Sequence, residues 1–124
     1  MRFIGLVVMM MAGAAAAQEG VRATDRLYAP DELSGMLSGH AVEFFDGSVS
    51  RYRGDGVYSY KYTENDRPWL GTWSVPEAGR VCVAFDNGSA RCDSLVDDGA
   101  RMVLVIADGT RFPVRARRVL VDGN

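Results

Sequence analysis

Aromatic residues alternate along two neighbouring stretches of the chain and offer the clearest indication of binding chemistry. Tyr58, Tyr60 and Tyr62 occupy every second position, and Trp69 and Trp73 follow after a polar turn. Side chains two positions apart in a strand share one face. Tyr and Trp combine an apolar ring with a hydrogen-bonding tip, which suits ligand cavities and interfaces, although such a stripe is also a common form of core packing. We therefore predict that Tyr58, Tyr60, Trp69 and Trp73 bind a small apolar ligand or a protein partner, with core packing as the alternative.

The two cysteines are spaced for a disulfide across a hairpin. Cys82 and Cys92 lie at equal distances either side of Asn87, and Asn87-Gly88 is a strong hairpin signal because both residues tolerate the positive φ of tight turns. A hairpin folded about Asn87 places the cysteines opposite each other, close enough for a disulfide, which we predict. Their spacing does not fit a CxxC redox motif or a zinc motif. Because the chain has only one histidine, we predict no metal site and no cofactor.

His40 is the only histidine and the main candidate for acid–base catalysis. A small hydrolase or isomerase would need a carboxylate, such as that of Glu43 or Asp46, within hydrogen-bond reach of His40. The sequence has no Gly-x-Ser-x-Gly motif and no nucleophile next to a base. We therefore predict a protein without catalytic residues, in which His40 bonds to backbone at a helix–strand junction. An enzyme that uses His40 is the alternative.

Residues 1–17 have the pattern of a signal peptide. Arg2 precedes an apolar run, and Ala15-Ala16-Ala17 fits the small-residue cleavage rule, which places the cut before Gln18. The apolar run is shorter than the roughly 20 residues that a membrane-spanning helix needs. A pair of cysteines also suits an oxidising compartment. We predict export to a bacterial periplasm and no membrane span in the mature chain.

The length and the net charge of the chain limit the number of domains and the classes of partner. The 124 residues are enough for one domain, which we place at residues 29–124, after a polar and flexible segment at residues 18–28. The formal net charge is −2, and it becomes more negative when Arg2 leaves with the leader. A mildly acidic domain gives no electrostatic reason to expect nucleic acid or an anionic membrane as a partner.

From residue 40 onward, strand-like runs alternate with Gly-containing turns at a spacing of about 9–12 residues, which is typical of consecutive hairpins. The eight predicted strands are 41–45, 48–53, 57–62, 70–75, 80–85, 89–96, 101–107 and 110–117. A short helix precedes them at residues 30–38, with its apolar residues on one face. Short loops favour an antiparallel meander. We therefore predict an all-β, lipocalin-like, eight-stranded up-and-down barrel whose helix caps one mouth, with a two-sheet β-sandwich as the alternative.

Two parts of this pattern do not reveal which face points inward. In the cysteine hairpin, the face that carries Val81 and Val83 pairs with Asp93 and Arg91, so it mixes apolar and charged side chains. The run 101–107 is apolar on both faces, which indicates a strand that is central or covered by the helix.

Several short motifs occur together over residues 30–113. They are a helix ending at Gly39, Gly71-Thr72-Trp73, Val81-Cys82-Val83-Ala84-Phe85, Arg91-Cys92 and Asp108-Gly109-Thr110. This pattern resembles small secreted bacterial proteins that belong to periplasmic families of unknown function. The resemblance implies a periplasmic β-domain and supplies no activity or site residues. Gly-Thr-Trp is also similar to the Gly-x-Trp motif of lipocalins, which there lies on the first strand and here on the fourth predicted strand.

These observations predict a secreted, non-enzymatic binding module that acts through its aromatic strands or through one barrel mouth. A structural component of the cell envelope is a further alternative.

Overall fold

The computed structural model describes residues 18–121, and the predicted leader at residues 1–17 lies outside the described residues. Within these described residues, the chain forms one α-helix, α1 (Pro30–Leu37), and nine strands. The strands are β1 (Arg26–Leu27), β2 (His40–Phe44), β3 (Val49–Tyr52), β4 (Val57–Lys61), β5 (Trp69–Glu77), β6 (Arg80–Phe85), β7 (Ala90–Asp97), β8 (Met102–Val105) and β9 (Arg111–Val119).

Strands β2 to β9 form a closed antiparallel barrel. Each strand pairs with the next one along the chain, and β9 returns to pair with β2, with His40 opposite Val119. Strand β1 is an extra strand outside the ring and pairs with the last residues of β7. The predicted eight-stranded up-and-down barrel is therefore confirmed, and the chain does not form the two-sheet sandwich.

The hairpin between β6 and β7 shows how the turn residues set the register. Gly88 has a φ of +90°, which an L side chain rarely adopts. Asn87 Oδ1 accepts hydrogen bonds from Ser89 N at 2.9 Å and from Ser89 Oγ at 2.6 Å. The turn fixes the pairing so that Cys82 lies directly opposite Cys92.

Helix α1 closes one end of the barrel. It begins at Pro30, whose fixed φ suits the first helical position, and it ends before Gly39, which has a φ of +72°. Leu33 and Leu37 are completely buried and belong to the same apolar cluster as the inward-facing Tyr52. The predicted short N-terminal helix is confirmed.

Residues 18–27 are bound to the outside of the barrel and Tyr28 is buried in the main apolar cluster, although the sequence predicts a flexible segment at residues 18–28. The Gln18 amide nitrogen donates to the carbonyl oxygens of Val105 at 2.7 Å and Ile106 at 2.9 Å. Val21 covers an outer apolar cluster made of Val96, Val103 and Val105. This cluster explains why residues 101–107 are apolar on both faces, since the N-terminal segment rather than the helix covers them. Single residues such as Gln18 and Val21 make these contacts, so the sequence of this segment has no periodic pattern from which they could be predicted.

Asp25 anchors the same segment through an ion pair with Arg111. The carboxylate accepts hydrogen bonds from the Arg111 guanidinium at 2.6 and 3.0 Å, and only 1% of the Asp25 side chain is exposed. These hydrogen bonds lower the pKa of Asp25, against the opposing effect of burial. A lowered pKa stabilises the fold above the unfolded-state value of about 4, and the contribution disappears as the pH falls through the folded-state value.

We therefore expect Asp25→Asn to lower the free energy of unfolding at pH 7 by about 1–2 kcal/mol. The difference in the free energy of unfolding between variant and wild type should become smaller as the pH approaches 3, since wild-type Asp25 is then losing its charge. Denaturant titrations at both pH values measure this change. Asp86→Asn, at an exposed turn position, is the control and should change little at either pH. A gap that is independent of pH would contradict the ion-pair account.

Candidate functional site

The barrel encloses a cavity of about 190 Å³. It lies towards the end of the barrel opposite α1, where the β2–β3, β6–β7 and β8–β9 hairpins turn. Side chains from seven of the eight barrel strands or their turns contribute to its wall. The apolar part of the wall is made of Phe44, Val81, Val83, Phe85, Leu104, Ile106 and Phe112.

Three tyrosines and a serine form a hydroxyl-rich side of the cavity. Tyr52, Tyr58 and Tyr60 point inward from β3 and β4, and the Tyr52 and Tyr58 ring centroids are 5.2 Å apart. The hydroxyls of Ser50 and Tyr58 are hydrogen-bonded at 3.0 Å. Burial raises the pKa of Tyr58 to about 12, so this phenol stays protonated at neutral pH. This side can both donate and accept hydrogen bonds without carrying charge.

A charged pair from β7 faces the same cavity. Arg91 lies opposite Val83 and Asp93 opposite Val81 across the β6–β7 ladder, so both charged side chains share the inner face with valines. Arg91 donates to the Asp93 carboxylate through Nε at 2.8 Å and Nη2 at 3.0 Å. The hydrogen bond to Asp93 raises the pKa of Arg91, so the guanidinium stays charged. The inner face that the sequence left ambiguous is thus apolar on β6 and ionic on β7.

Of the four predicted binding residues, the structure brings Tyr58 and Tyr60 to the cavity wall. Trp73 packs edge-on against Tyr52 at 5.5 Å between ring centroids and donates its Nε1 hydrogen to the Arg53 carbonyl at 2.9 Å. Trp69 is 57% exposed and contacts Phe85 edge-on at 6.4 Å. The two tryptophans are therefore not part of the cavity wall, although Trp69 borders a residue that is.

Gly71 allows a close approach of two strands beside the aromatic residues. It lies opposite Phe85 in the β5–β6 ladder, and a Cβ atom at Gly71 would lie 2.3 Å from the Ala84 carbonyl oxygen. The absence of a side chain lets the β5 and β6 backbones approach closely at the position of the Phe85 ring. That ring meets Tyr58 edge-on, with 6.0 Å between centroids.

Sequence reasoning missed Ser50, Arg91 and Asp93 as residues of the site. A signal was present for the charged pair, because the symmetric hairpin already placed both residues on the face of Val81 and Val83. The Ser50–Tyr58 pair lies on adjacent strands at non-opposite positions, which the alternation pattern alone does not single out.

His40 lies at the junction between α1 and β2, away from the cavity wall. Its Nδ1 is 2.8 Å from the Ser38 carbonyl oxygen. Within residues 18–121 no carboxylate is hydrogen-bonded to His40, and no three His, Cys, Asp or Glu side chains come together as a metal site would require. Glu43 points to the outer face of β2, where it lines a polar pocket of about 300 Å³ with Arg51 and Arg118.

Cys82 and Cys92 are joined by the predicted disulfide. The bond lies on the outer face of the β6–β7 ladder, since the neighbouring inward positions are those of Val81, Val83, Arg91 and Asp93. It therefore links β7, which carries the ionic part of the cavity wall, to β6 without itself taking part in the wall.

Comparison with protein-family models, curated proteins and solved structures finds no match to this chain. Over residues 18–121, no helix has the length and apolar character needed to cross a membrane.

Proposed function

We propose that this protein is an exported, periplasmic binding module that holds a small, mostly apolar molecule inside its barrel. The observation that carries the proposal is the cavity of about 190 Å³, with one apolar side and one hydrogen-bonding side. Cavities of about 150 Å³ lined by apolar side chains are known to hold a benzene-sized guest. A molecule with a single ring or a short chain therefore fits the available space.

The chemistry of the wall supports binding rather than catalysis. The part of the wall contributed by residues 18–121 contains no histidine or cysteine, and its buried carboxylate, Asp93, is engaged by Arg91. The tyrosine hydroxyls are suited to orienting a polar group on the guest. The disulfide is compatible with an oxidising compartment, and the predicted leader would direct the chain there.

A protein partner is a second candidate because of one specific surface. Tyr62 and Trp69 are more than half exposed, and Leu70 is nearly so, at the two ends of the β4–β5 connection. Exposed apolar patches of this kind often mark contact surfaces. The interior cavity remains the stronger candidate because its wall surrounds a guest on several sides.

Titration with toluene and benzyl alcohol, followed by amide chemical-shift changes, tests the proposal. We expect saturable shifts in β3, β4, β6 and β7, the strands whose side chains line the cavity. Ile106→Trp should weaken binding at least about tenfold, because the half-buried Ile106 side chain lines the cavity and an indole there would occupy the space of the guest.

Val119→Trp is the matched control, because Val119 is 72% exposed at the end of β9 and does not line the cavity. Binding by this variant should equal that of wild type. Saturable binding that Ile106→Trp leaves unchanged would place the site elsewhere, and a lack of saturable shifts with either probe would overturn the proposal.

A further inference from the structure

We propose, on the basis of the cavity function above, that the bound molecule is uncharged and carries a hydrogen-bond acceptor, and that Asp93 is the residue that excludes carboxylates. Both parts of the proposal follow from how Arg91 and Asp93 are arranged on the inner face of β7.

Two of the three guanidinium nitrogens of Arg91 are already hydrogen-bonded. Nε and Nη2 are directed at Asp93, at 2.8 and 3.0 Å, which fixes the plane of the guanidinium. Within residues 18–121, Nη1 of Arg91 has no hydrogen-bond partner, while the residue lines the cavity. Arg91, whose side chain is 49% exposed, therefore offers an uncommitted N–H donor at the rim of the cavity, which favours an acceptor such as a carbonyl or hydroxyl oxygen.

The cavity wall carries three charged side chains. Arg91 is the only cationic side chain of the cavity wall within the described chain, and Asp93 and Asp46 are its two carboxylates. Asp46 Oδ1 is held by Ser48 N at 2.9 Å and by Ser48 Oγ at 2.6 Å. The wall therefore has an excess of one negative charge, and the positive charge of Arg91 is already balanced by a contact partner.

The charge of a guest decides how it interacts with Arg91 and Asp93. A carboxylate placed at Arg91 would lie beside the Asp93 carboxylate and be repelled by it; water reaches the Arg91 side chain, which is 49% exposed, but largely not that of Asp93, which is 10% exposed. A cationic guest would have to share the site with the Arg91 guanidinium. A neutral acceptor meets neither repulsion and still gains the hydrogen bond from Nη1.

Three probes that share one ring and differ in the polar group test this inference at pH 7. They are benzamide, benzoate and benzylamine, each titrated into the full-length mature protein by calorimetry or amide shifts. We expect benzamide to bind most tightly, with benzoate at least about tenfold weaker. Equal or tighter binding of benzoate or benzylamine would overturn the inference.

Asp93→Asn isolates the role of the carboxylate, because the amide is nearly isosteric and keeps an oxygen for Arg91. The variant should strengthen benzoate binding at least about tenfold relative to benzamide. Asp93→Ser removes the same charge with a smaller side chain and serves as a second variant if Asp93→Asn is poorly folded. Asp31→Asn, on α1 at the far end of the barrel, is the control and should leave the ratio of the two affinities unchanged.

The outcomes separate this inference from the function on which it rests. If toluene binds but the benzoate-to-benzamide ratio is the same in wild type and in both Asp93 variants, the cavity is a binding site and the role of Asp93 is wrong. If none of the probes binds, the proposed function fails, and this inference fails with it.

Discussion

Leu33→Ala is expected to lower the free energy of unfolding by about 2–5 kcal/mol, the largest stability effect predicted here. Leu33 is 0% exposed and lies in the main apolar cluster with Leu37, Tyr52 and Val42. An eight-residue helix is too short to be stable alone, so it depends on the burial of this face against the barrel. Removing the side chain leaves a void at the end of the barrel and weakens the docking of the whole helix.

Chemical denaturation of Leu33→Ala and Leu70→Ala measures this effect with a matched deletion. Leu70 is 47% exposed on β5, so the same change there should cost no more than about 1 kcal/mol. Circular dichroism before the titration checks that both variants remain folded. Similar losses of unfolding free energy in the two variants would show that the fold does not depend on the packing of α1 against the barrel.

Replacement of both cysteines by alanine is expected to lower the free energy of unfolding by about 2–3 kcal/mol. The disulfide closes a loop with a sequence separation of 10, and the entropic benefit of a cross-link grows with the logarithm of the loop length. In a domain of this size the change corresponds to a fall in melting temperature of roughly 10–20 °C. Replacing both residues together avoids a free thiol that would confuse the result.

Calorimetry of oxidised wild type, reduced wild type and Cys82→Ala/Cys92→Ala provides the measurement. Reduced wild type should melt near the double variant. Ser74→Ala is the control, since Ser74 lies opposite Cys82 on the neighbouring strand β5 and is exposed. A melting temperature that neither reduction nor replacement changes would mean that the β6–β7 pairing does not need the cross-link.

The sequence predicted the barrel well because its hairpins are marked locally. All the barrel turns except the β4–β5 connection carry a glycine with positive φ, such as Gly88 after Asn87, and short turns favour pairing between sequential strands. The cysteine pairing followed from the same local symmetry. Closure of the ring by β9 and β2 is not a local feature, but it follows from the need to pair both edges.

The candidate site was harder to predict because its chemistry departs from the usual alternation. Inward positions of a small barrel are expected to be apolar, whereas Arg91 and Asp93 satisfy each other inside and leave their strand without an apolar stripe. Trp73 was grouped with Tyr58 because both belong to aromatic stripes on neighbouring strands. The structure places Trp73 behind the wall, where it packs edge-on against the wall residue Tyr52.

The pairing of β2 with β9 has a consequence for how the chain reaches its final state. His40 and Val119 lie far apart along the polypeptide, so the ring can close only after the last strand has been synthesised. Until then β2 and β8 expose unpaired amide and carbonyl groups, which invite pairing between molecules. The open barrel is therefore prone to aggregate until β9 pairs, and removal of β9 (Arg111–Val119) would leave both of these edges unpaired permanently.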